Sequence, residues 1–267
     1  QRQMCIRDSY TTPYFTHPAK LTHEQTEEFT KRDAVIRQLN NQSNVSWVFV
    51  SETLKKRSEE LIGIHFNRAH VISNLVDEKV YQFSKRNKET RHKVIVVRKF
   101  DNVNTYAIDI DVQTIVELSK RRIFKDLTFD IYGSGPMFDN LTEPIKDFEN
   151  VNLHEHFLSQ SELKEAYDNH GIGLFATRFD SQGVSMCEAA MSGMPVVSSN
   201  IDAANYFLPN DIGLLCNVEN PCEYADVVEK LARNRWYYNK CAKACRQKIE
   251  KRCSRAQTVE KEIDLFW

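Results

Sequence analysis

The sequence lacks a charge surplus of either sign: 36 basic side chains stand against 37 acidic ones in 267 residues, a net charge of −1. Affinity for a nucleic-acid backbone comes from releasing its counterions with a basic excess, so this balance argues against such a partner. Also lacking is any apolar run approaching the ~20 residues that cross a bilayer, and no charged start followed by an apolar stretch reads as a signal peptide. Such a chain is expected to be cytoplasmic. No two cysteines stand two residues apart. The seven (Cys5, Cys187, Cys216, Cys222, Cys241, Cys245, Cys253) are scattered, so reduced thiols are expected rather than disulfides or structural zinc. What is present is ample apolar material, 41% hydrophobic and 10% aromatic residues, for one to two packed domains.

Residues 1–9, QRQMCIRDS, show no periodicity and resemble a peptide translated from sequencing-adaptor sequence. They are expected to be non-native, and the natural protein to be longer at its N-terminus. Residues 10–64 carry a sparse helical stripe (Phe29, Ile36, Leu39), a strand from Val45 to Val50 and a helix from Glu52 to Ile62. A short strand at 70–72 and a charged, loop-like segment from Val76 to Arg91 follow. From Lys93 onward short apolar runs alternate with helices: KVIVV, LTFDIY, Val151–Leu153, Ile172–Ala176 and Pro195–Ser198, with a last strand at 212–216. Continuous rather than alternating apolar runs mark strands buried on both faces, and the intervening helices supply the crossovers of a parallel sheet. The fold class is therefore α/β with a doubly wound parallel sheet over residues 65–267. In such sheets ligands bind beyond the carboxyl ends of the strands.

The segment RFDSQGVSMCEAAMSGMPVVSSN, residues 178–200, carries the chemistry. Its helix has an apolar seam of Val184, Cys187 and Met191, and Glu188 lies beside that seam, four residues after Val184. A carboxylate on a core face is costly unless a cation or a hydroxyl-bearing ligand satisfies it. Free amides and the positive dipole end at the helix start, with Gly183 allowing close approach, suit a phosphate. Asp180, at the strand end, offers a second acceptor for hydroxyls. Hydroxyl acceptors flanking phosphate donors fit a nucleotide-sugar.

The segment resembles the C-terminal domain of the large group 1 (family 4) glycosyltransferases, in particular a subset seen in polysaccharide biosynthesis. The acidic-x7-Glu pattern is here Asp180 to Glu188, with aspartate in place of the usual first glutamate. The resemblance implies the GT-B fold of two Rossmann-like domains, with residues 10–64 a remnant of the acceptor-binding domain and 65–267 the donor-binding one. It implies transfer from a nucleoside-diphosphate-sugar to a glycan or other hydroxyl acceptor, with retention, without a metal and with no cofactor beyond the donor. Glu188 would bond the donor's ribose and Asp180 the transferred sugar, while Ser181, Gln182, Gly183 and Val184 would present backbone groups. Arg98, ending KVIVVR, matches the diphosphate-binding arginine, whose charge stabilises the leaving group. Gly133 and Gly135 match the glycine turn after the next strand, and His156, Phe157 and Leu158 the region that reads the nucleobase. The resemblance leaves room for peripheral membrane association through the absent part of the acceptor domain.

One departure stands out. The family carries a lysine about five residues beyond the arginine, and Val103, Asn104 and Thr105 occupy that region here. Lys99 is adjacent to Arg98 but points the opposite way if the strand continues. A non-catalytic nucleotide-sugar-binding module is thus the alternative reading. Gly133 and Gly135 also suggest a dinucleotide fingerprint, which fails because Phe138 occupies the third glycine position. Asp109 and Asp111 superficially suggest a metal-binding acidic pair, but are expected in the first turn of a helix. His154 and His156 lack a third ligand nearby, so ordinary polar contacts are expected.

Overall fold

The computed structural model describes residues 2–5, 22–101 and 103–266. Of the expected non-native segment, residues 1 and 6–9 lie outside the described residues, as do residues 10–21 of the expected acceptor-domain remnant.

The first region is a three-stranded parallel sheet, ordered β1-β2-β3: β1 (Arg2–Cys5), β2 (Val45–Phe49) and β3 (Ala69–Val71). Arg2–Cys5, set aside in the sequence reading, thus runs beside β2. Between these strands lie α1 (His23–Asn40) and α2 (Glu52–Ile62). Thr22 and Gln25 close a capping box on α1, while Ser51 caps α2 at Leu54 N and Gly63 ends it with φ 68°. Trp47, Phe49, Phe66 and Ile36 form the centre of this core. The boundary expected at residue 64 falls too early, since Phe66 and β3 pack with the first sheet. The cause is the spacing: a crossover of α2 plus a short turn returns the chain to the same sheet before it can leave.

The second region is a six-stranded, wholly parallel sheet in the order β6-β5-β4-β7-β8-β9. Its elements in chain order are β4 (Lys93–Val97), α3 (Ile108–Ser119), β5 (Thr128–Tyr132), α4 (Phe138–Thr142), β6 (Val151–His154), α5 (Gln160–Asn169) and β7 (Ile172–Phe175). There follow α6 (Val184–Met191), β8 (Val196–Ser199), α7 (Asp202–Phe207), β9 (Leu215–Cys216), α8 (Pro221–Arg233), α9 (Arg235–Cys253) and α10 (Arg255–Phe266). Ile95, Phe129, Leu174 and Val197 are fully enclosed, as two-sided burial requires. The expected doubly wound α/β sheet is the one observed.

The sequence reading gave no element at α7; Asp202, Asn205 and Tyr206 dilute its apolar signal. Pro144 shortens the expected helix at 139–148 to α4 and one 3₁₀ turn.

Because β4 and β7 are neighbours while β5 departs to one side of β4 and β8 to the other side of β7, the winding reverses between β4 and β7. Crossovers diverge there and leave a crevice beyond the strand ends. Arg98 follows β4, and the loop 176–183 follows β7.

Candidate active site at the sheet's switch point

A cavity of about 300 Å³ opens at that crevice, lined by Val97, Arg98, Lys99, Tyr106, Phe157, Asp180, Gly183, Val184 and Ser185. Arg98, Phe157, Asp180, Gly183 and Val184, drawn from three separate loops, are thereby brought together.

Arg98 is 7% exposed. Its guanidinium lies over the rings of Phe175, at 4.9 Å, and Tyr106, at 5.3 Å, and its Nη2 donates weakly to Ala176 O at 3.4 Å. Its Nε and the Oδ2 of nearby Asp111 are both buried without a hydrogen-bond partner among the described residues. Among the described residues Asp111 takes only the Ala176 amide, at 2.9 Å, on Oδ1. Burial pushes the Asp111 carboxyl well above the usual carboxylate range, against the attraction of Arg98. A cation so weakly bonded within the protein keeps donors for an anion in the crevice.

The glycine turn is a backing for this arginine rather than part of the wall. Gly133 and Gly135 both have φ 155°, and a Cβ on Gly133 would stand 1.8 Å from Arg98 O. One on Gly135 would meet the Phe100 carbonyl group at 2.6 Å. Bare backbone lets Arg98 N reach Tyr132 O at 3.0 Å and Phe100 N reach Ser134 O at 3.1 Å, which fixes where the arginine emerges.

The α6 loop is organised by Asp180, whose Oδ1 accepts from Gly183 N at 2.7 Å and Gln182 N at 3.2 Å. These two amides, expected to face a diphosphate, are turned onto the aspartate in this state. The amides of Val184 and Ser185 open the helix itself. Ser181 and Gln182 are buried and do not line the cavity. The Gln182 side chain instead clasps the linker: its Oε1 accepts from Asn74 N at 2.7 Å and its Nε2 donates to Asn74 O at 3.0 Å. Phe179 of the same loop is buried in the first region's core.

Glu188 stands one turn below the cavity rim and outside its lining. Among the described residues no lysine or arginine pairs with it. The buried Tyr81 hydroxyl approaches it without closing a hydrogen bond of normal geometry. Burial pushes the Glu188 carboxyl up to about 7, the Tyr81 hydroxyl opposing. Leu158 is half-buried against the main core, whereas Phe157 is 58% exposed.

Lys99 corrects the sequence reading. The strand ends at Val97, so alternation no longer applies, and Lys99 lines the same cavity as Arg98 while pairing with Asp101. Tyr106, in a loop, gave no signal beforehand. Asp109, in the first turn of α3, is held by both Nη atoms of Arg178 at 2.8 and 2.9 Å, and the same guanidinium grips Glu219. His154 bonds Asp130 at 3.0 Å and stacks on Tyr132. Among the described residues no group of three or more His, Cys, Asp or Glu is placed to hold a metal ion. No described helix is long and apolar enough to cross a membrane.

The chain is similar to an uncharacterized 41.2 kDa protein in the cps region of Klebsiella pneumoniae, 22% identical over 214 residues (76% of this chain, 56% of that protein). It is 25% identical to the poly(ribitol-phosphate) alpha-N-acetylglucosaminyltransferase of Staphylococcus aureus over 58% of this chain and 32% of that enzyme. The chain thus spans about half the length, or less, of these curated relatives. Among solved structures, S. aureus TarM in a complex containing UDP overlays with TM-score 0.72 at 20% identity, covering 89% of this chain and 46% of that one. Sucrose-phosphate synthase of Thermosynechococcus elongatus overlays with TM-score 0.77 at 13% identity, covering 99% of this chain and 66% of that one. These likenesses carry the GT-B fold. The family model for group 1 glycosyl transferases matches residues 91–234, more than half of the chain and all of the strands around the crevice, and the chain belongs to that family.

Proposed function

We propose that this chain is the donor-binding half of a glycosyltransferase that moves a sugar from a nucleoside diphosphate to an acceptor hydroxyl, with retention and without a metal, in glycan or polysaccharide biosynthesis. The observation that carries the reading is the convergence of Arg98, Asp180 and the first-turn amides of α6 on one cavity at the switch point. Arg98 faces the charge that develops on the departing diphosphate, a task that a fixed guanidinium performs in a site shielded from water. Asp180, which lines the cavity, is assigned to the sugar hydroxyls, and Glu188 receives the ribose hydroxyls, whose donors offset its desolvation. Phe157, exposed at the rim, offers a face for the base. Retention fits front-face displacement, in which the leaving diphosphate takes the acceptor's proton and no protein base is needed.

The test is calorimetric titration of the chain with a panel of nucleoside-diphosphate-sugars. Saturable binding of at least one donor, weakened by Glu188→Ala, is expected. If no donor binds, or Glu188→Ala binds as the parent does, the assignment of this crevice is wrong. Steady nucleotide release from donor plus acceptor separates an enzyme from a module that only binds.

A further inference from the structure

A second cavity, of about 330 Å³, lies at the other end of the six-stranded sheet, lined by Lys85, Arg86, Asn87, Lys88, Arg91 and Arg235. Residues 85–91 lead into the start of β4, whereas Arg98 follows its end, so the five-residue strand, about 17 Å long, separates this cavity from the donor crevice. Five cationic side chains converge here without one carboxylate in the lining, in a chain whose net charge is −1. Neighbouring acids are engaged elsewhere: Glu89 pairs with Lys93 at 3.8 Å and Asp168 with Lys164.

The cations are of two kinds. Arg86 is a fixed charge. It is buried, and all its nitrogens donate to the protein: to the carbonyls of Ser84, Tyr167, His170 and Ser192 and to Ser192 Oγ. The carbonyls of Tyr167, His170 and Ser192 close the C-terminal ends of α5 and α6, which accounts for Arg86 without any ligand. The other four are not so accounted for. Arg91 is 7% exposed, and its Nη1 is buried without a partner among the described residues. Lys85, Lys88 and Arg235 are exposed, with no salt bridge among the described residues.

Arg235 sits against its own helix. It opens α9, nineteen residues long, whose first turn holds no acidic residue and whose N-cap is Asn234. A cation at the positive end of a helix dipole is disfavoured, and an anion there is favoured. Placing Arg235, an orphan guanidinium N–H, two ammonium groups and a helix N-terminus around one hollow leaves a concentrated positive potential that no carboxylate of the described residues pairs with there. Planar guanidinium forks and mobile ammonium heads match the oxygens of phosphate.

We propose that this cavity binds a phosphate-bearing ligand, a diphosphate or a pair of phosphoester groups, independently of the donor crevice. The shared chemistry admits a soluble phosphate compound or the headgroup of an anionic lipid, and the experiment distinguishes them. The chain, the double variant Lys88→Glu/Arg235→Glu and the variant Arg98→Ala are titrated calorimetrically with inorganic pyrophosphate. Each is also sedimented with vesicles of phosphatidylglycerol in phosphatidylcholine and of phosphatidylcholine alone.

Of the pyrophosphate sites in the titration, the one at this cavity is expected to weaken about tenfold or more in the double variant and to persist in Arg98→Ala, which weakens only the site in the donor crevice. The charge-neutralising pair Lys85→Gln/Lys88→Gln, on exposed side chains that leave the fold intact, should give a smaller loss. Pyrophosphate binding without retention on the anionic vesicles assigns a soluble ligand. Retention on those vesicles alone, abolished in the double variant, assigns the lipid headgroup. Equal behaviour of parent and double variant with both probes, no binding of either probe, or pyrophosphate binding lost only with Arg98→Ala overturns the proposal.

Discussion

Asp130 and Glu188 are both carboxylates drawn out of water in the same α/β unit, and burial has opposite outcomes for them. Asp130, on β5, is pushed up by burial, but bonds from His170, His154 and Asn152 outweigh that and hold it down at about 2. Glu188, on α6, meets the same desolvation with only a poorly aligned tyrosine opposing it, and stands at about 7. The protein is able to satisfy a buried acid completely where it chooses to. Leaving Glu188 and the Arg98–Asp111 pair under-bonded at the switch point suits the ligand site proposed there, since partners supplied by the fold would compete with a ligand.

The largest test of this contrast falls on Arg98. If the chain acts in the proposed glycosyl transfer, Arg98→Ala is expected to cut turnover by about 10²–10³-fold, the cost of removing one fixed transition-state donor. Steady-state kinetics showing a change of KM alone would remove Arg98 from the chemistry. Next comes Glu188. Its raised value means that its contribution to stability is present below its ordinary range near 4.5 and is lost as pH rises through about 7. Glu188→Gln should therefore raise stability above pH 7 by about 3 kcal/mol at most, flatten the dependence between those limits, and weaken donor binding about tenfold. Thermal melting against pH reads the first two, and a melting curve that keeps its slope would contradict the assigned burial.

Asp130 should behave in the reverse sense. Its depressed value adds stability that is present above its ordinary range near 3.8 and lost as pH falls towards about 2. Asp130→Asn is expected to cost about 2 kcal/mol at neutral pH while donor affinity stays at the parental level. A loss of donor binding equal to that of the Glu188 variant would erase the distinction between the two acids. The smallest effect is expected from Lys99→Ala. Lys99 is exposed and paired with Asp101, so donor affinity should drop only severalfold, as for a solvent-screened charge. No change at all would show that the ammonium never leaves Asp101.

The legible part of this molecule was whatever depends on burial from both faces. KVIVV, LTFDIY and the helix with its Val184-Cys187-Met191 seam announced the sheet and its crossovers, and Glu188 stood out because a carboxylate beside such a seam needs a reason, with Asp180 marked by its place at the preceding strand end. Facts that depend on where a backbone stops were not legible. Lys99 was assigned to the wrong side because strand alternation ends at Val97, two residues earlier. Gly133 and Gly135 read as ligand-facing, but the crowding that demands glycine comes from the Arg98–Phe100 backbone, a tertiary contact that no spacing encodes. Likewise nothing local distinguishes the Gln182 amide as a partner of Asn74, more than a hundred residues away.

The loop after β7 is riveted twice to the first region, by Phe179 in that region's core and by the paired Gln182–Asn74 bonds. It also carries the aspartate and the amides at the mouth of the crevice. The two sheets therefore cannot swing apart without pulling on the loop proposed to hold the donor: any relative movement of the halves would reach that loop through these contacts, with no separate relay in between.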